Sequence, residues 1–191
     1  IAGQPNVTDD GANTVVVRTN PAYIPALERV VKELDVDPPL MRNVELTFYI
    51  LQGSREPLPD ADPIPPELQP TVAQLKNAFG FQGFRLFDTA MIRGRNGQES
   101  VVTGHFSPQK GASSSYRIFT RQTTTSESRP AVVHIEKLDF TTGLAFANST
   151  FTVQINATID VKEGQKVVIG KSGIDGNQSA IVLVCTTRIV D

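Results

Sequence analysis

Hydrophobic and polar residues alternate along the chain from residue 43 to residue 51. Every second residue from Val44 to Ile50 is apolar, and the intervening positions hold Glu45, Thr47 and Tyr49. Because successive side chains of a strand point to opposite faces, this alternation predicts a half-buried β-strand. A shorter apolar run at residues 14–18 predicts another, buried strand before it.

Two segments carry apolar residues at the 3.6-residue spacing of an amphipathic helix. The first is marked by Ile24, Leu27, Val30, Val31 and Leu34. Its regular part is expected to start near Pro25, because a proline deeper in a helix removes a backbone hydrogen bond. The second is marked by Leu68, Val72, Leu75 and Phe79. Gly80 is placed to end it in the left-handed conformation.

From Phe84 onward the pattern is that of strands, with no helical period. The dipeptide Asn96-Gly97 predicts a hairpin that joins a strand at 84–93 to one at 99–106. Further strands are predicted at residues 115–123, 131–140, 150–161, 165–169 and 180–190. The C-terminal half is therefore expected to be an antiparallel sandwich or one face of a larger sheet. Phe79, Phe81, Phe84 and Phe87 are interpreted as core packing.

These elements together predict an α+β protein. A βαβαβ-like N-terminal part would contain both amphipathic helices, and an antiparallel, sandwich-like β-rich part would follow. We expect a flexible arm at residues 1–13, an α+β domain at 14–95 and a β-rich domain at 96–191, which can form one continuous unit with the first.

Composition narrows the classes of function. The net charge of −2 argues against a nucleic-acid surface, and no apolar run approaches the roughly 20 residues of a membrane helix. Cys185 is the only cysteine, which excludes an intrachain disulfide, and its apolar neighbours predict a buried, inert thiol. The chain begins at Ile1, so we expect a processed or trimmed start with a signal peptide removed.

The glycine-rich segment near the C-terminus resembles a phosphate-binding loop only superficially. Five residues separate Gly164 from Gly170-Lys171-Ser172, where the loop requires four, and residues 167–169 form a strand candidate. A further glycine-rich turn follows instead of a helix. We therefore expect Gly170–Ser172 to form a glycine-permitted turn, with positive φ, inside a hairpin between residues 167–169 and 180–184.

The remaining candidate residues are interpreted as structural. His105 and His134 are lone strand histidines without a Gly-x-Ser-x-Gly elbow. Asp60 and Asp62 lack the spaced ligands of a calcium loop. The Asn-x-Ser/Thr triplets at Asn6, Asn148, Asn156 and Asn177 are ascribed to chance. No catalytic, cofactor-binding or metal-ligating residue is predicted, and no cofactor and no enzymatic activity are expected.

Two segments resemble the bacterial secretin family. Residues 13–46 are similar to the short secretin N-terminal ring domain, in which a strand precedes a helix ending in Leu34-Asp35 and two prolines follow. Residues 163–170, together with Arg188–Val190, resemble the near-terminal hairpin of the family. Secretins usually carry a second glycine where Lys171 stands, and the intervening segment is too short for a full gate with its inserted lip.

The resemblance implies a non-enzymatic, secretin-like envelope protein, periplasmic or outer-membrane associated, that acts through protein–protein contacts in assembly or secretion. Protein partners or self-association are then expected, with the helix and sheet faces of residues 14–51 as ring-type interfaces. Nucleic acid and nucleotide are not expected. The alternative is a ligand-binding or enzyme-accessory β domain, for example for carbohydrate, that uses the loops at one end of the β-rich half.

Overall fold

The computed structural model describes residues 6–9, 15–34, 42–108, 112–124, 130–146, 149–174 and 178–190. The chain divides into two compact units, Ile1–Leu40 and Met41–Asp191.

The first unit contains a two-stranded hairpin and one helix. Strands β1 (Asn6–Asp9) and β2 (Val15–Arg18) pair antiparallel, so part of the segment expected to be a flexible arm forms a strand. Only the backbone of these two strands is described. A 3-10 turn capped by the Asn20 side chain leads into helix α1 (Ile24–Leu34), which starts one residue before the predicted Pro25.

The second unit contains one helix and eight strands among its described residues. A 3-10 turn (Pro66–Leu68) leads into helix α2 (Gln69–Phe79). The strands are β3 (Asn43–Ser54), β4 (Gly83–Arg95), β5 (Glu99–Phe106), β6 (Ser114–Thr124), β7 (Val132–Phe146), β8 (Ser149–Lys162), β9 (Lys166–Gly173) and β10 (Ser179–Val190). The two helices, together with antiparallel sheets that make up most of the chain, confirm the predicted α+β class.

The eight strands form two four-stranded antiparallel sheets. The helix-backed sheet has the order β4-β3-β10-β9, and the meander sheet has the order β5-β6-β7-β8. A core between them buries side chains of both sheets, among which the bulkiest fully buried ones are Phe48 and Phe140. The other face of the helix-backed sheet is covered by Val72 and Leu75 of α2 and by Leu68 of the preceding 3-10 turn. The central strands β3 and β10 are therefore buried on both faces.

The Asn96-Gly97 turn is present, but the predicted hairpin is wrong. Strand β4 pairs with β3 and β5 pairs with β6, so the turn is a corner between the two sheets. Gly97 supplies the positive φ of 78° that the corner requires, and its N–H donates to the carbonyl of Gln122 in β6 at 2.8 Å. A second corner at Gly164, with φ of 77°, connects β8 to β9.

The predicted aromatic cluster packs in the interior but divides between two cores. Phe81 and Phe84 lie under α2, where Phe79 also packs, and Gly80 ends the helix with φ of 68° as predicted. Phe87 packs on the opposite face of the sheet, 4.6 Å from the Phe106 ring. Phe84 and Phe87 are three residues apart on one strand and therefore point to opposite faces of the sheet. Ile50 pairs with Asp88 and Leu51 with Leu86, so Phe87 is an extra residue and Asp88 lies on the same face as Phe87.

A partly buried hydrogen bond joins the two sheets. The Tyr116 hydroxyl on β6 donates to the Asp88 carboxylate on β4 at 2.7 Å. Burial, and then the hydrogen bond to Asp88, raise the pKa of Tyr116 well above its ordinary value. Gly104 of β5 lies directly across from Tyr116 of β6, and a Cβ at position 104 would overlap the phenol ring.

We expect Gly104→Ala to lower the free energy of unfolding by about 1–3 kcal/mol, because the Tyr116 ring must shift to admit the methyl group. Gly143→Ala is the matched control, since a Cβ at this strand glycine meets no atom within 4 Å. Urea denaturation of both variants measures the difference. Equal stability of the two variants would contradict the packing described for Gly104.

Stability is expected to fall as the pH rises above about 10, since the folded protein holds the Tyr116 proton more tightly than the unfolded chain does. Tyr116→Phe should make this decline shallower, although Tyr49, whose pKa burial also raises, still contributes. Urea denaturation between pH 8 and 11 tests the expectation, with exposed Tyr23→Phe as the control. An unchanged slope in Tyr116→Phe would refute it.

Candidate functional site: the open strand edges

The two sheets of the second unit leave four strands with one paired side each. Among the described residues, β4 and β9 pair only inside the helix-backed sheet, and β5 and β8 only inside the meander sheet. Since β4 turns into β5 and β8 turns into β9, the edges fall on two sides. We call these sides the β4/β5 flank and the β8/β9 flank.

The open edges are long and unprotected by proline. Strand β4 has 13 residues and β8 has 14, well above the very short edge strands by which many proteins avoid unwanted pairing. None of the four edge strands contains a proline, the residue that most directly blocks an added strand. Met91 on β4 adds an apolar side chain that is 59% exposed. Each flank therefore offers backbone donors and acceptors to another strand.

The glycine-rich segment near the C-terminus forms part of the β8/β9 flank. Val167 pairs with Cys185 and Val168 with Val184, which confirms the predicted antiparallel hairpin. The predicted turn at Gly170–Ser172 is wrong, because strand β9 continues to Gly173. Gly170 does not adopt a positive φ; a Cβ there would lie 2.8 Å from Cγ2 of Ile155. This glycine is required by the close approach of β8.

A register shift in β9 determines where Lys171 points. Leu183 pairs with Gly170 and Val184 with Val168, so Ile169 is an extra residue. The bulge turns Lys171 to the helix side of the sheet. There its Nζ atom lies 4.9 Å from the ring centroid of Phe79 and 5.7 Å from that of Phe81. This cation–π contact links the edge strand to the C-terminal end of α2.

A cross-strand row of charges links the edge strand β4 to the sheet interior. Arg93 on β4 donates to the Glu45 carboxylate at 2.9 Å, and Arg188 on β10 approaches it from the other side at 3.6 Å. The hydrogen bond from Arg93, with a further contribution from the charge of Arg188, lowers the pKa of Glu45, while partial burial opposes the shift.

The other candidate residues are not brought together. His134 lies 2.6 Å from Asp160 on the surface of the meander sheet, whereas His105 lies toward the opposite end of that sheet, across from Ser115. Cys185 is buried, and burial raises its pKa to about 12, as expected of an inert thiol.

The acidic pair and the Asn-x-Ser/Thr triplets do not form a site among the described residues. Asp60 and Asp62 are exposed, and in the described part of the chain no three His, Cys, Asp or Glu side chains are grouped to hold a metal ion. Asn6 and Asn156 lie on strands, and Asn148 and Asn177 lie outside the described residues. Sequence reasoning missed the open edges, because which strands lie at a sheet edge depends on long-range pairing.

Glu45→Gln tests the charge row. The depressed pKa of Glu45 means that its stabilisation is present above the ordinary glutamate pKa, about 4.3, and is lost as the pH falls through the lower folded value. We therefore expect wild-type stability to fall more steeply with acid than that of Glu45→Gln. Urea denaturation between pH 2.5 and 6 measures this, with the exposed Glu99→Gln as control. Parallel curves for the wild type and Glu45→Gln would contradict the expectation.

Comparisons with known proteins identify a related fold. No family model and no curated protein matches the chain. Solved secretins do match. The type II secretin GspD of enteropathogenic Escherichia coli aligns over 98% of this chain and 79% of its own, with TM-score 0.52 and 10% identity. The Salmonella SPI-1 injectisome secretin InvG, in its open gate state, aligns over 99% and 71%, with TM-score 0.52 and 12% identity.

A third structure, the type II secretion system secretin GspD of E. coli K12, aligns over 97% of this chain and 57% of its own, with TM-score 0.50 and 12% identity. The chain thus has a secretin-like fold. The likeness extends well beyond the two segments that resemble secretins in sequence. No helix in the described part of the chain is long and apolar enough to span a membrane.

Proposed function

We propose that this chain is a non-enzymatic, secretin-like subunit of the cell envelope that assembles with further copies of itself through its two flanks. The observation that carries the proposal is the pair of open edges on opposite sides of one unit. The fold shared with secretins supports it. The alternative of a carbohydrate-binding or enzyme-accessory domain has no comparable support.

The geometry of the edges favours ring-like association. The β4/β5 flank and the β8/β9 flank are different surfaces, so their pairing is heterologous and repeats from copy to copy. Such pairing gives a closed ring when the rotation between copies closes, and an open filament when it does not. In a ring, both edges of every copy would be paired. In a filament, only the copies at the two ends would keep an unpaired edge.

Strand direction is compatible with this junction in both sheets. Each sheet has four antiparallel strands, so its two edge strands run in opposite directions. When copies share one orientation, β9 of one copy therefore meets β4 of the next in antiparallel fashion, and β8 meets β5 in the same way. The shorter strand at each junction has 8 residues, which limits the length of the added pairing.

The first unit supplies a second surface of the proposed subunit. Helix α1 exposes Ile24, Val30 and Val31 on its apolar face, each at least 44% accessible. We infer that this face contacts protein in the assembled state, as the resemblance of residues 13–46 to a ring domain implies. The similar solved structures are secretins of secretion systems. From this similarity of fold we infer an exported location, with a signal peptide removed.

Charge on one edge is expected to block assembly. We predict that the purified chain forms species larger than a monomer, and that the double variant Thr89→Lys, Met91→Lys shifts it toward monomer. Both positions are exposed on β4, and lysine on an edge strand opposes pairing with another strand. Light scattering coupled to size-exclusion chromatography measures the mass.

The control for this experiment is the double variant Gln74→Lys, Asn77→Lys, which adds the same charge on the exposed face of α2, outside the four edge strands. It should assemble like the wild type. A wild type that stays monomeric at every concentration, or a control that dissociates as fully as the β4 variant, would contradict the proposed use of the edges.

A further inference from the structure

The outer face of the meander sheet contains a groove that runs across three strands. Its floor is the backbone of Gly104, Tyr116 and Thr142, which are aligned across β5, β6 and β7 and whose side-chain positions face the interior. The row Thr103, Arg117 and Thr141 forms one wall, and His105 and Ser115 form the other. The groove is open to solvent and has a volume of about 340 Å³.

The groove is open at one end because Gly143 has no side chain. Gly143 continues the second wall, beside Ser115, and a Cβ built there would meet no atom within 4 Å. This position differs from Gly104, where a Cβ would strike the Tyr116 ring in the interior. The space above Gly143 is therefore free for a ligand.

Arg117 and the hydroxyl groups that line the groove can all donate hydrogen bonds. Arg117 offers guanidinium N–H groups, and Thr103, Ser115 and Thr141 offer hydroxyl groups. The carbon at the centre of the Arg117 guanidinium lies 5.7 Å from the ring centroid of Phe119. Contact with the ring face holds the guanidinium without occupying its N–H donors.

Charge in this region is unbalanced. On the same face of the sheet, Glu136 pairs with Arg121 at 3.2 Å and Asp139 with Lys137 at 3.4 Å. Arg117 has no carboxylate partner among the described residues, and no acidic residue lines the groove. A cation flanked by hydroxyl groups favours the binding of an oxyanion, because hydrogen bonds from a guanidinium to an anionic oxygen are strong.

We propose that this groove binds an oxyanion group, a phosphate or a carboxylate, with Arg117 as its charged anchor and the neighbouring Ser and Thr hydroxyls as additional donors. The site lies on the outer face of the meander sheet, and only its β5 residues, 103–105, belong to a flank strand. Binding does not require assembly, and the two proposals can fail separately.

Isothermal titration calorimetry of the full chain tests the site, with inorganic phosphate and glutarate as separate probes in a chloride buffer of constant ionic strength. We expect saturable binding of at least one probe at one site per chain. Arg117→Gln should weaken it by about tenfold or more, because the charge-assisted bonds are lost. Gly143→Thr should weaken it as well, because its side chain fills the open end of the groove.

Arg121→Gln is the matched control. Arg121 lies on the same strand and the same face as Arg117, but it is paired with Glu136. This variant should bind the probe like the wild type. The proposal would be overturned if neither probe showed saturable binding. Unchanged affinity in Arg117→Gln, or an equal loss of affinity in Arg121→Gln, would overturn it as well. Circular dichroism of each variant verifies that a loss of binding does not come from unfolding.

Discussion

The structure of the second unit depends on burying its two central strands, β3 and β10, on both faces. Residues 180–185 of β10 are all buried, with Ile181, Leu183 and Cys185 in the core between the sheets and the alternate residues under α2. Each core uses one face of the same two strands, so losing the cover on either face would expose apolar side chains of β3 and β10 to water. The meander sheet and α2 are therefore held in place by a shared pair of strands.

This arrangement also explains why the edges remain open. The central strands are fully paired by β4 and β9. One tight corner leads from β4 into the meander sheet, and another leads from the meander sheet back into β9. The corners at Gly97 and Gly164 lie at the same end of the unit, since β4 and β9 run in opposite directions. The result is a sheet doubled back on itself, with unpaired strands on both sides. An assembly that pairs these sides would extend both layers at once.

Local pattern predicted most of the elements, whereas long-range pairing decided their arrangement. The alternation at residues 44–50, the end of α2 at Gly80 and the terminal hairpin were predicted from side-chain spacing and glycine. Asn96-Gly97 misled because the dipeptide specifies a tight reversal but not whether the flanking strands pair with each other. The bulges at Phe87 and Ile169 were also not predictable, since an extra residue is defined only against its partner strand. The edges and the Arg117 groove follow from those pairings.

The proposed assembly joins neighbouring copies by antiparallel strand pairing between their two flanks. Electron cryo-microscopy of the assembled full chain tests it most directly. We expect repeating subunits in which β9 of one copy pairs with β4 of the next, and β8 pairs with β5. Assemblies in which these strands face solvent while other surfaces form the contacts would contradict it.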